Sequence, residues 1–343
     1  MDLEMLKFRA SCIQATRSFF INKGYLETDT PALSPRLIPE TCLEVFRTEY
    51  RKPWQEGSDA SVPLFLVPSP EVYLKQIIAD HGISLFQISK CYRNAESVGR
   101  IHSPEFTMLE YYTVYAGYLK SLDITEALVT YLLDTLFIPE NEPLGLRPPF
   151  IRMTMNEAFR SYAGFSLVDC PEPADLARHA QRLGLNDAHN FSQWSWDDLY
   201  ELILVHTVEP ALPHDQPIAI LDYPAAVPCL AAGKTQEVTR KDKRTGEWKT
   251  KERWELYMKG VEIANCYTEE RNEKEITQYI EAEDSLKQQT ARIPHPPVTG
   301  FSAICAKMPP CSGSALGLDR LIMLLAGKSS IDTVLPFPLT DAI

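Results

Sequence analysis

Leu3, Leu6, Ala10, Ile13 and Phe20 recur at the spacing of one helix face and Gly24 follows them, so the pattern predicts an amphipathic helix over residues 2 to 23. The chain then turns extended in GYLETDTPALSP. Between residues 40 and 67, CLEVFRTEY and PLFLVP read as strands around the polar link WQEGSDAS. SPEVYLKQIIAD reads as a helix with Ser69 as N-cap, Pro70 at the first position and Glu71 in the first turn, where the dipole favours a carboxylate. SKCYRNAESVGRIHSPEFTMLEYY follows as two apolar strands joined by a loop that carries Arg93, Arg100 and His102. Alternation puts Phe106, Met108, Glu110 and Tyr112 on one face of the second strand. An aromatic plate, a carboxylate and a phenol together suit a purine and an ammonium group better than they suit a core.

Residues 119 to 209 are mainly helical in pattern, with breaks at Pro139 to Pro149 and Cys170 to Pro173. RKDKRTGEWKTKER, seven basic residues in fourteen, reads as a solvated hairpin with its turn at Thr245-Gly246, or as a patch for an acidic partner. In ERWELYMKGVEIANCYTEE, a turn at Lys259-Gly260 between two strands would bring Glu255 and Glu262 towards one place. Two carboxylates beside a triphosphate are what Mg²⁺ requires. CSGSALGLDRLIMLLAG sets a glycine-rich turn before an apolar helix; Gly313 and Gly317 allow close backbone approach, and Arg320 in the first turn can meet phosphate oxygens.

With 343 residues, 45% apolar and 23% charged, the chain has the content of an ordinary globular protein able to bury a large core. A net charge of −12 argues against a broad nucleic-acid surface. No apolar run approaches a membrane span and MDLEMLKFRA lacks the features of a signal peptide, so the expected location is the cytoplasm. The eight scattered cysteines are expected to be free thiols.

Three stretches carry a resemblance to the class II aminoacyl-tRNA synthetases: the helix leading to Pro31 (motif 1), RNAESVGRIHSPEFTMLEYY (motif 2, closest to the lysyl enzymes) and GSALGLDR (motif 3). Ser69-Pro70-Glu71 and the pair Glu255 and Glu262 also match the lysyl pattern. Motif 1 begins almost at Met1, which leads to the expectation of a catalytic domain over residues 1–343 with a helical insertion at about 119–209 and no anticodon-binding domain. Ala315 stands where lysyl-tRNA synthetases have glycine, and in both respects the chain resembles the elongation factor P (R)-β-lysine ligase family.

That resemblance implies an α+β fold, the class II core with a mixed, largely antiparallel sheet flanked by helices, in a homodimer with Pro31 at its interface. It implies ATP and Mg²⁺, a lysine or β-lysine substrate, and elongation factor P as acceptor rather than tRNA. Carried over by residue, Arg93 and Arg320 would act on the phosphates. Asn94, Glu96, His102, Phe106, Glu262, Ile263 and Gly317 would complete the ATP site, with Phe106 stacking on adenine. Ser69, Glu71, Glu110, Tyr112, Asn265, Glu269 and Ala315 would hold the amino acid, and Glu255 and Glu262 the metal. Ala95 stands at the family's glutamate, with Glu96 one place later; Ser103 replaces an asparagine, and Cys266 replaces a glycine and is expected to narrow the pocket. Two other readings stay open: a truncated lysyl-tRNA synthetase, and an idle protein that senses lysine or ATP.

Overall fold

The computed structural model describes residues 2–54, 57, 60–95, 98–185, 191–241 and 243–339. The carboxylate of Asp2 accepts Glu4 N at 3.0 Å and opens helix α1 (Leu3–Asn22), which Gly24, at φ +82°, closes. Then come β1 (Leu26–Glu27), β2 (Leu33–Ser34), β3 (Arg47–Arg51), β4 (Ser61–Leu66), α2 (Glu71–His81), β5 (Leu85–Tyr92), β6 (Glu105–Val114) and α3 (Tyr118–Leu136). β7 (Ile151–Thr154), α4 (Met155–Ala158), α5 (Pro173–Arg182), α6 (Trp196–Ile203), β8 (Ile218–Pro224), β9 (Gly233–Thr239), β10 (Thr245–Met258) and β11 (Val261–Thr268) follow. The chain ends with α7 (Glu273–Thr290), α8 (Phe301–Lys307), β12 (Cys311–Gly317) and α9 (Leu318–Leu325). The result is α+β, with mostly antiparallel strands flanked by helices.

The chain divides into two compact units, residues 1–143 with 268–343 and residues 144–267. In the first, β6 pairs antiparallel with β5 on one side and β12 on the other, and β1 runs parallel to β5. One face of β6 is apolar core: Tyr111 lies 4.8 Å from the Phe20 ring of α1, and its hydroxyl donates to Ser121 O of α3 at 3.0 Å. The other face carries Phe106, Met108, Glu110 and Tyr112 and positions the site.

In the second unit β10 pairs antiparallel with β8, β9 and β11, and β7 runs parallel to β8. Met155, Phe159, Leu199, Ile203 and Ile218 fill its core. The basic hairpin turns at Arg240–Arg244, where Arg240 N donates to Arg244 O at 2.9 Å and Lys243 adopts φ +65°. Thr245 and Gly246 instead open β10, opposite Thr239 and Val238. The polar stretch takes the turn, and the extended text beginning at Thr245 pairs along its whole length.

A buried ion pair ties α1 to this framework. Arg9 Nη2 lies 2.6 Å from Asp319 Oδ1 of α9 and 2.9 Å from Thr107 Oγ1, while Thr107 N donates to Asp319 Oδ2 at 2.6 Å. Breaking a buried pair strands the remaining charge, so Arg9→Met is expected to destabilise the protein by about 3–5 kcal/mol in urea unfolding. Replacing Arg9 and Asp319 together should cost markedly less than the sum of the two single changes.

Candidate active site

The residues expected to hold the amino acid are gathered on the face of β6 that meets a strand of small residues. Gly313, Ala315 and Gly317 of β12 stand opposite Tyr112, Glu110 and Met108. A Cβ added at Gly313 would fall 2.5 Å from Glu269 Oε1 and 2.5 Å from Tyr112 Cε1. The glycine therefore makes room for a carboxylate and a ring of the protein itself, which is a closer reason for it than the approach of a ligand. Glu269 is held at this spot because its N–H donates to Cys311 O at 3.0 Å.

Glu110 is buried and accepts from Ser69 Oγ at 2.6 Å and from Tyr112 Oη at 2.9 Å. Ser69 has a second task, since its hydroxyl accepts Glu71 N at 3.0 Å. The cap position itself falls on Pro70, one residue later than the expected Ser69, and it makes no side-chain capping bond. Burial, followed by the charge of Glu71, pushes the Glu110 carboxyl up to about 8, and the two hydrogen bonds only partly oppose that rise. Burial also raises Glu269 to about 7, against the pull of Lys75. Lys75 escaped the sequence reading. Its ammonium, buried in α2, lies 2.5 Å from Glu71 Oε1 and 2.7 Å from Glu269 Oε2. The i,i+4 spacing from Glu71 was visible in the text, but the long-range contact to Glu269 was not.

The phosphate-facing candidates come from the β5–β6 loop and α9. The Arg93 guanidinium carbon sits 5.2 Å from the Phe106 ring centroid, and its buried Nε has no hydrogen-bond partner among the described residues. Such an orphaned donor suits an anionic oxygen. Asn94 Nδ2 donates to Val45 O at 3.3 Å, and Ala95 takes φ +58°. Glu96 lies outside the described residues. His102 forms a small bridge with Gly99. Gly317 caps α9, and Arg320 Nε donates to Ile101 O at 3.0 Å, which ties α9 to the loop.

In the second unit, Lys259 and Gly260, both at positive φ (51° and 72°), form the two-residue turn between β10 and β11. A bulge leaves Ile263 without a partner, so Glu262 stands opposite Tyr257 while Asn265 stands opposite Glu255. That bulge places Glu255, Tyr257, Glu262 and Asn265 on one face. Glu255 is already engaged: Arg253 Nη2 lies 2.5 Å from Oε1, and Tyr257 Oη lies 2.8 Å from Oε2. Arg253 Nε also reaches Asn265 Oδ1 at 3.2 Å, and Tyr257 Oη contacts Glu209 Oε1 at 2.9 Å. Burial, then the charges of Glu255 and Glu262 working against the Tyr257 hydrogen bond, raise the Glu209 carboxyl. Among the described residues no three His, Cys, Asp or Glu side chains are grouped closely enough to hold a metal on their own. Cys266 does not narrow this face; it is buried opposite Trp254, out of alternation with Asn265.

A family model for class II tRNA synthetases (D, K and N) matches residues 2–341. An elongation factor P–(R)-β-lysine ligase of Vibrio parahaemolyticus is 34% identical over 342 residues, covering 98% of this chain and 96% of the relative. Proteins of the same name from Vibrio cholerae and Erwinia tasmaniensis are 32% and 31% identical, over 99% and 96% of this chain and 97% and 93% of their own lengths. The chain therefore belongs to the class II tRNA synthetases of the D, K and N group and, within them, to the elongation factor P–(R)-β-lysine ligase family. It is by class an ATP-dependent amino-acid ligase. No helix among the described residues is long and apolar enough to cross a membrane.

Two outcomes follow from the carboxylate pocket. Gly313→Ala forces Glu269 and the Tyr112 ring to move and is expected to destabilise the fold by about 1–3 kcal/mol in urea unfolding. The raised carboxyls set the pH dependence. Their folded values, about 8 for Glu110 and about 7 for Glu269, lie above the ordinary 4.5, so their contribution is present in acid and is lost as pH rises through those values. The melting temperature of the protein alone should therefore fall from about pH 4.5 to about pH 8, and Glu110→Gln should flatten the fall.

Proposed function

We propose that the protein activates lysine or (R)-β-lysine with ATP as an aminoacyl-adenylate and transfers the acyl group to a lysine of elongation factor P. The observation that carries this reading is a cluster of three carboxylates: Glu110, hydrogen-bonded to Ser69 and Tyr112, with Glu71 and Glu269 joined through Lys75, in surroundings dry enough to raise two of them. Lys75 offsets part of this buried negative charge, and a ligand rich in ammonium charge would offset the rest. The name of the relatives supports elongation factor P as acceptor and (R)-β-lysine as isomer.

In this mechanism the substrate carboxylate is already a nucleophile. It attacks the α-phosphorus, pyrophosphate leaves, and no general base is needed. Arg93 offers its unpartnered Nε to phosphate, Arg320 binds the far end of the triphosphate, Phe106 takes the adenine face, and Asn94, His102, Ile263 and Gly317 line the nucleotide. Asn265 orients the amino acid. The carboxylates of Glu255 and Glu262, on one face of β10 and β11, would hold a hard divalent cation, Glu255 through the lone pairs that Arg253 and Tyr257 leave on it. When bound, Mg²⁺ neutralises charge on the triphosphate. In the second step the acceptor amine attacks the acyl carbon, AMP leaves and an amide forms. Ala315, the strand neighbour of Glu110, would favour one position of the substrate's proximal ammonium. The helical text at about 119–209 serves in this reading as the insertion between motifs 2 and 3, and exposed Pro31 belongs to a homodimer contact.

The test incubates the protein with ATP, Mg²⁺ and radiolabelled α- or β-lysine, offering purified elongation factor P or bulk tRNA as acceptor. Label on elongation factor P, with β-lysine preferred, is the expected result; label on tRNA alone sinks the reading in favour of a tRNA-charging enzyme. Arg320→Ala should lower lysine-dependent pyrophosphate exchange by about 3 kcal/mol of barrier, roughly 100-fold or more in rate. Exchange within a factor of about two of the wild type would remove Arg320 from the phosphate site.

A further inference from the structure

Lys75 has no part in the chemistry above, yet its ammonium lies between two of the carboxylates assigned to the substrate. Its side chain is 1% exposed, 2.5 Å from Glu71 Oε1 and 2.7 Å from Glu269 Oε2. The ammonium also stands 5.6 Å from the centroid of the Phe301 ring of α8. It is sealed in by helix and ring, so it is a fixed part of the wall. We infer that Lys75 is a built-in counter-ion that leaves the pocket two carboxylate charges in excess, and so selects amino acids that carry two ammonium groups. This rests on the reading of the pocket as an amino-acid site.

Charge count in a dry place is what decides. With Glu71, Glu110 and Glu269 and no Lys75, a diamino acid would leave one buried carboxylate unmatched. That carboxylate would take up a proton or repel its neighbours. With Lys75, the two ammonium groups of the substrate complete the neutralisation. Glu269 Oε1 fits this count, because it is buried and finds no hydrogen-bond partner among the described residues. Lys75 also splits its attraction between α2 and the segment after β11, so it fixes the distance between Glu71 and Glu269. It acts through those carboxylates and is thus a positioning residue. The titratable groups whose charge it feels are Glu40 before β3, Glu71 on its own helix, Glu269, Cys305 of α8 and Cys311 of β12, with Glu110 of β6 facing it across the pocket. Burial pushes the Cys305 thiol up to about 12 and Cys311 higher still, so neither thiol ionises near neutrality.

Two variants test this, Lys75→Met and the double variant Glu71→Gln with Lys75→Met, which restores the charge count without the ammonium. The first measurement is the melting temperature of each protein without ligand from about pH 6 to about pH 8.5. Lys75→Met should lose more stability than the wild type as pH rises, and the double variant should return to the wild-type slope. The second is the pH profile of kcat/KM for lysine in pyrophosphate exchange. Its acid limb should move up by about one pH unit or more in Lys75→Met, since removing a cation at this distance raises neighbouring carboxylates by about that amount. KM for lysine should rise about tenfold while KM for ATP stays within about twofold. An equal loss of stability at every pH, failure of both variants to fold, or an unmoved acid limb would reduce Lys75 to packing and overturn the inference. If the wild type exchanges pyrophosphate with no diamino acid, the functional reading fails, while the slopes of melting temperature against pH still decide the role of Lys75.

Discussion

Burying carboxylates is the constraint from which the first unit is arranged. Glu110 and Glu269 lie under a strand that has no side chain at Gly313, and each gains a specific partner: two hydroxyls for Glu110 and one ammonium for Glu269. Removing Lys75 strands a charge at a cost of about 3–5 kcal/mol, and removing either hydroxyl from Glu110 costs about 1–3 kcal/mol, so Ser69, Lys75 and Tyr112 all hold the fold. The pairing of β6 with β12 sets where these groups meet, and a shift by one residue would turn every one of them to the opposite face.

A second set of contacts governs the loop above this floor. Asp319 holds Thr107 N at the start of β6 and Arg9 of α1, while the next residue, Arg320, holds Ile101 O within the loop. Ile331 N adds a bond to Arg100 O at 2.9 Å. Two adjacent side chains of α9 thus fix both ends of one turn of chain, and a ligand that draws on Arg320 also draws on the loop that carries Arg93 and His102.

Much of this was legible in the text because it is local. The period of Leu3 to Phe20 fixed α1, the alternation from Phe106 to Tyr112 fixed the working face of β6, and Lys259-Gly260 fixed the β10–β11 turn. What escaped depends on residues far apart in sequence or on a single irregularity. Lys75 reads as one of several polar residues on an amphipathic helix until Glu269 is brought beside it. The bulge at Ile263 has no signature in VEIAN, and without it Glu262 would not stand opposite Tyr257. Thr245-Gly246 reads as a turn by composition, but pairing along β10 overrides that preference. Arg9, in a helix expected to bury only its apolar stripe, is buried because Asp319 is there to receive it.

The acidic character of the chain is itself conditional. The formal charge of −12 counts every carboxylate as ionised, yet burial pushes the Glu40 and Glu269 carboxyls up to about 7 and Glu110 up to about 8. At neutral pH these sites hold a fraction of a proton each, and they hold less when a cation enters. In the proposed reading the protein is therefore a charge regulator: an arriving ammonium would be met partly by protons leaving. The molecule's net charge changes by less than the ligand's own charge, and the difference appears as acid released to the surrounding buffer.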